Sequence, residues 1–376
     1  MHMDMWTLCS NLLVDIGGGR VFKGDQLIPQ NPMHQMVMPT DSARGVAMTC
    51  DRCHSKMQSI AELLLISCDA RPVSSEDLSP FTKSYSRCRD EILDILRRLS
   101  NLMKDVASQV SSVAAVHWHD ISNCIQDMSD FVIRLVECCG HIAYLIAIDF
   151  PDCSPSQAGI IDRYKICRAN LDIKISCTRL KRSRLHDLHS QFLVDICSNI
   201  SQALSIMTDV CRTAGENASD SSDQEQFKLC VKSVTSSTSC LIASIKCFKS
   251  HPNSGHLGRI VAFCDPVMTA SHALVTFTTE DGFIGKPAHL TADAKESQKS
   301  ILGACMSIVS ANVQTCRSVR DLAYDVMNAR HRERIALCTE SMDRASSQLQ
   351  DIIMSYSIDD ASSDTTSSTV SSTSSR

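Results

Sequence analysis

With 376 residues, 43% of them apolar and 21% charged, the chain has the make-up of a folded globular protein with room for two or three cores. A net charge of −5 excludes a protein that binds nucleic acid through its overall charge. Aromatic residues at 5%, with 13 Gly and 10 Pro, leave few strand formers and few turn formers, a composition that leans to helix.

The first 40 residues are irregular, with three consecutive glycines at 17–19 and prolines at 29, 32 and 39. GGGRVFKG (17–24) has neither the spacing of a phosphate-binding loop nor a helical period directly after it, so it reads as linker. The N-terminus has no basic n-region and makes a poor signal peptide. No run approaches the roughly 18 apolar residues of a membrane span, so no transmembrane segment is expected. The 20 cysteines fall mostly at single apolar positions, as reduced, small hydrophobic residues of a cytoplasmic protein would.

Beyond residue 45 apolar residues recur in steps of three and four, the period of a helix with one buried stripe. Nine helices are expected, at roughly 46–70, 76–112, 116–149, 156–181, 184–214, 222–250, 255–280, 290–327 and 330–356. The breaks carry Pro, Gly, Ser and Asp, as at 71–72, 151–155, 215–223, 252–255 and 282–287. Single-stripe helices joined by short loops pack as antiparallel bundles, and nine exceed one bundle. The fold class is all-α. Residues 1–45 and the Ser/Thr-rich tail at 358–376 are expected to be disordered.

Three features bear on function. In TCDRCHSKMQ (49–58), Cys50, Cys53 and His54 spell C-x-x-C-H, a pattern found at haem and zinc sites. On a helix, Cys50 and Cys53 also share a face with Met57, Ile60, Leu64 and Cys68, and no second C-x-x-C exists to complete a paired zinc site. The core reading is therefore preferred, with no metal and no cofactor. Of the adjacent Cys138 and Cys139, only Cys139 is expected to point inward. His117, His119, His186 and His189 read as surface residues, and no catalytic constellation is found.

Second, 163–184 holds eight cations, Arg163, Lys165, Arg168, Lys174, Arg179, Lys181, Arg182 and Arg184, against one carboxylate, Asp172. The rest of the chain then carries −12. Such a stripe is either a solvated helix face or a contact for an anionic partner: an acidic protein surface, a phosphoinositide headgroup or nucleic acid. Tyr164 alone offers no stacking array for single strands, and an acidic polymer such as filamentous actin fits. Third, GRIVAFCDPVMTASHALVTF (258–277) is apolar on more than one stripe. Ile260, Phe263 and Val267 lie on a face partly distinct from that of Val261, Cys264, Met268 and Val275. That face is read as a subunit interface, against the alternatives of a central bundle helix or a kink at Pro266.

The strings CDRCHSKMQSIAELLLISCDARPV (50–73), IIDRYKICR (160–168), EQFKLCVKSV (225–234), SILGACMSIVSANVQTCRSVRDLA (300–323) and HRERI (331–335) together resemble the talin-rod helical-bundle family, in the same order. The resemblance implies an architecture like the seventh and eighth modules of that rod, a four-helix bundle inserted between two helices of a five-helix bundle. Residues 46–150 and 286–357 would form the discontinuous five-helix bundle and 154–283 the insertion. It also implies a non-enzymatic protein of the actin cytoskeleton, in stress fibres and filopodia. Such a protein binds F-actin, pairs as a homodimer through the four-helix module and bundles filaments. The rival expectation is an adaptor whose grooves take short amphipathic helices of adhesion or signalling proteins. Assigning actin to the basic stripe and the dimer to Ile260, Phe263 and Val267 rests on charge and pattern alone.

Overall fold

The computed structural model describes residues 41–65, 80–111 and 116–356. Of the stretches expected to be disordered, 1–40 and 358–376 lie outside the described residues, as does Cys68, whereas residues 41–45 begin the first helix, which corrects that end of the expectation. Nine long helices occupy almost everything that is described: α1 (Asp41–Leu65), α2 (Tyr85–Ser111), α3 (Trp118–Ile148), α4 (Arg163–Arg182), α5 (Ser190–Asn217), α6 (Ser221–Ser250), α7 (Ser254–Thr278), α8 (Ala292–Tyr324) and α9 (Ala329–Met354). The all-α expectation holds.

Local chemistry sets the helix starts. Asp162 accepts from Lys165 N, His189 Nδ1 from Phe192 N, Asp220 from Ser222 N, Asn253 from His256 N, and Thr291 from Ala294 N. Each cap satisfies an amide that the helix itself cannot pair. Two helices start later than periodicity suggests because competing turns precede them. α2 begins at Tyr85 rather than 76, after a 3-10 turn at Pro80–Thr82. α5 begins at Ser190 because Leu185–Asp187 forms another 3-10 turn. α1 begins five residues early, at Asp41.

Two hydrophobic cores organise these helices. The first is built by α1, α2, α3, α8 and α9, and includes Met57, Ile92, Leu99, Met103, Leu135, Ile308 and Leu349. The second is built by α4, α5, α6 and α7, and includes Ile173, Ile196, Met207, Phe227, Leu241 and Val267. The chain leaves the five-helix bundle after α3 and returns to it at α8 through a narrow double crossing. There β1 (Gln157–Ala158) pairs antiparallel with β2 (Gly285–Lys286), and Ser154 bridges His289. Sequence periodicity gave no sign of these short strands, which are two residues each. The crossing is tight enough to demand glycine. Gly285 has φ +77°, and a Cβ there would overlap Gln157 O, while one on Gly159 would overlap Phe283 O. Phe227, Phe277 and Phe283 cluster below it with ring centroids 4.9–5.2 Å apart, closing that end of the four-helix core.

Candidate functional site

The eight cations of 163–184 do not share a face. α4 packs on α5 and α7 through its apolar stripe, and its polar side meets α1 of the other bundle. Its side chains are therefore half-buried nearly all round, and the stripe is divided between a buried joint and the outer surface.

Arg168 points into the joint. It donates to Glu137 on α3, a carboxylate only 8% exposed, and to the Tyr164 hydroxyl at 3.0 Å. Tyr164 in turn donates to Glu137 Oε1 at 2.6 Å, and its ring meets Phe81 edge-on at 5.1 Å. Burial, and then the neighbouring Glu137 charge, push the Tyr164 phenol well above its usual range. Tyr164 and Leu171 also pack on the five-helix core, and Met48 of α1 packs on the four-helix core. The two bundles are thus keyed together by polar and apolar contacts.

Arg179 also faces the joint. Its guanidinium lies over the Phe192 ring, 4.9 Å from the centroid. Around it α1, α3, α4 and α5 enclose a cleft of about 480 Å³. Arg52 and Lys56 enter it from α1, Gln126 and Ser129 from α3, and Asn199 and Gln202 from the exposed side of α5. α4 supplies Arg168, Asp172 and Arg179. Arg52 is hydrogen-bonded to the neutral Gln126 amide, and Lys56 lies 3.9 Å from the exposed Asp130. Burial raises the Asp172 carboxyl above its ordinary range, against the pull of Lys56 and Arg168.

The remaining cations lie at or near the surface. Lys181 pairs with Asp265 of α7 at 2.7 Å, and this hydrogen bond raises its ammonium above the ordinary value. Arg163, Arg182 and Arg184 are exposed, and Lys165 and Lys174 are half-buried. Sequence reasoning missed Arg52 and Lys56, which an isolated reading of α1 leaves as two ordinary cations between core positions.

The interface reading of α7 needs correction. Ile260 and Val267 are fully buried in the four-helix core, on one stripe with Cys264 and Leu274, so they cannot meet a second subunit. Small polar residues complete that stripe, since Ser271 and Thr278 are buried with their hydroxyls on helix carbonyls. Phe263 is half-buried. It belongs to an outward face with Ala262, Pro266, Thr269, Ala270 and Ala273. By length and composition, α7 is apolar enough to cross a membrane, as is α3, although no such run was expected. Pro266 sits inside α7 without ending it.

Cys50 and Cys53 are 1% exposed and lie on the core stripe of α1 with Met57 and Ile60, as expected, although Val46 one turn earlier already belongs to it. Burial raises both thiols, which keeps them protonated and unreactive. His54 accepts from Arg317 Nη2 at 2.9 Å, and burial and that guanidinium lower its pKa. No group of three or more His, Cys, Asp or Glu side chains able to hold a metal occurs among the described residues. Cys138 corrects a further expectation: it is buried as fully as Cys139, because α3 is surrounded by other helices. His117, His119, His186 and His189 are exposed.

Residues 161–280, the segment that folds as α4 to α7, match the family model of the Talin IBS2B domain. A curated protein named talin, from Oscarella pearsei, is 24% identical to this chain over 291 residues, 77% of the chain and 11% of that protein. The chain therefore spans about a tenth of the length of that relative.

Proposed function

We propose that this talin-rod-domain-containing protein is a non-enzymatic scaffold of the actin cytoskeleton that binds F-actin, self-associates through its four-helix bundle and thereby bundles filaments. The observation that carries the reading lies on α7, within the matched segment. Only 28% of its most apolar stretch is buried inside the protomer, and its outward face exposes Ala262, Pro266, Thr269 and Ala273 beside Asp265 and His272, with Phe263 and Ala270 half-buried at its edge against the four-helix core. An apolar face of this kind is stabilised by covering it with a second copy. The logic of bundling is then multivalent: one filament site per protomer decorates a filament, and two sites held apart by a dimer crosslink two.

Actin itself comes into this reading from the talin-rod resemblance, supported by the exposed cations Arg163, Arg182 and Arg184 and the half-buried Lys174. Arg168 and Arg179 are withdrawn from the filament contact because the joint between the bundles holds them. A cytoplasmic location on stress fibres and filopodia belongs to the same reading. Sedimentation with filaments tests it. At high speed the protein should pellet with actin, and at low speed it should bring actin down as bundles. Protein left in the supernatant of the high-speed spin at low salt refutes filament binding and leaves the adaptor reading, in which the bundle grooves take short amphipathic helices.

A further inference from the structure

We propose that the cleft between the two bundles is a binding site for a compact, multiply phosphorylated anion of the inositol polyphosphate type, held by Arg52, Lys56, Arg168 and Arg179. Nothing in this proposal depends on actin binding or on self-association.

The cleft has the size of a small-ligand site, about 480 Å³, but not the usual lining. Four cations converge on it from α1 and α4, and Asp172 is the one carboxylate among its lining residues. Their charges are poorly compensated. Among the described residues, Arg168 alone of the four has a close carboxylate partner, Glu137. Arg52 bonds a neutral amide, and Lys56 makes a loose 3.9 Å contact with an exposed aspartate. Arg179 makes no side-chain hydrogen bond or ion pair among the described residues; the Phe192 ring lies beneath it, and the Asp195 carboxylate acts on it only at a distance. Its half-buried guanidinium is pulled down to about 10, first by burial and then by the like charge of Arg52, against the opposing pull of Asp195. Like charges gathered at a half-buried site cost stability unless an anion sits between them.

A second observation points the same way. Ser129 lines the cleft, is fully buried, and its hydroxyl finds no hydrogen-bond acceptor apart from the weakly accepting Cys53 thiol beside it. Buried hydroxyls are normally well paired in folded proteins, so one left with only a thiol beside a cationic cleft has capacity for a stronger acceptor. Asn199 and Gln202 add exposed neutral donors around the rim.

The geometry also selects the class of anion. The cations come from two helices of different bundles, α1 and α4, which suits a ligand with several charged groups rather than a single carboxylate. Guanidinium forks match phosphate oxygens in bidentate fashion. Apart from Phe192 under Arg179 no aromatic ring is available to stack on a base, which disfavours nucleotides. Because two walls come from different bundles, a bound polyphosphate would stiffen the joint.

The test titrates the full chain with inositol hexakisphosphate by calorimetry, with inorganic phosphate as the small-anion control. Saturable one-to-one binding is expected, together with a rise in the thermal midpoint on adding the ligand. Arg179→Gln and Arg52→Gln should each weaken binding by about tenfold or more, the loss expected for one charge-assisted contact. Lys232→Gln, on the exposed surface of α6, should leave it unchanged. Asp172→Asn should tighten it, and a misfolded variant cannot give that result. No saturable binding, equal losses in Arg179→Gln and Lys232→Gln, or indifference to Asp172→Asn would each overturn the proposal. Flotation with phosphatidylcholine vesicles carrying doubly phosphorylated phosphatidylinositol then separates the sources. Flotation lost in Arg179→Gln assigns a lipid headgroup, and calorimetric binding without flotation assigns a soluble ligand.

Discussion

Helices α3 and α7 are both long and apolar enough to cross a membrane, yet the first is 72% buried over its most apolar stretch and the second 28%. α3 runs through the middle of the five-helix bundle, in contact with α1, α2 and α8, and its Leu135, Cys138, Cys139 and Ile142 all reach core. α7 stands in a four-helix bundle, where each helix needs one stripe, and the stripe of Ile260, Cys264, Val267 and Leu274 fulfils it. What the pair teaches is that apolar composition measures how much surface a helix has to cover, whereas topology decides whether its own chain covers it. The excess on α7 is what the proposed second copy would cover.

Substitutions on the two helices should respond in opposite ways. Leu135→Ala, at the centre of α3, should lower unfolding stability by about 2–5 kcal/mol in denaturant titrations, through lost burial and the cavity left behind. An effect below about 1 kcal/mol would mean that α3 is not the packed centre described here. Gly285→Ala tests the crossing that separates the bundles. Its positive φ and the overlap with Gln157 O should cost about 2 kcal/mol or more, and an unchanged thermal midpoint would show that the crossing relaxes freely.

Glu137→Gln removes the carboxylate from Arg168 and Tyr164 while keeping the shape. A loss of about 1–3 kcal/mol is expected, with the four-helix bundle uncoupled from the five-helix bundle in a broadened transition. A single transition at the wild-type midpoint would deny the joint its role. The smallest effect concerns Asp172. Burial raises its folded carboxyl above the unfolded value, so the folded state holds the proton more tightly. Stability should therefore fall as pH rises from the unfolded to the folded pKa and stay reduced above it. Asp172→Asn should remove this dependence and gain up to about 1 kcal/mol at neutral pH, with no gain once pH drops below about 4.

Much of the fold was legible in the sequence because single-stripe helices announce themselves through period and breaks. Among the described residues nine long helices overlap the nine spans that apolar steps of three and four marked out, with the starts of α1, α2, α4 and α5 displaced, and the Pro- and Gly-rich breaks at 151–155 and 282–287 fall at the crossing. The site was less legible. The joint brings the polar side of α4 against Arg52, Lys56 and Gln126, and a contact between two polar faces leaves no hydrophobic period to read. For that reason eight cations in a row read as one outward stripe, when Arg168 and Arg179 turn inward. On α7 the reading failed differently. With Ala, Ser, Thr and Pro spread round the helix, the stripe containing Ile260 and Val267 looked no more internal than its neighbours, although both residues are core.

The mass of the purified protein in solution, compared with that of Phe263→Asp, tests most directly whether the uncovered face of α7 joins two copies. Light scattering should give twice the chain mass for the wild type and the single-chain mass for the variant, with helical content unchanged. A wild-type protein that is monomeric at all concentrations, or a variant that stays dimeric, would contradict the account.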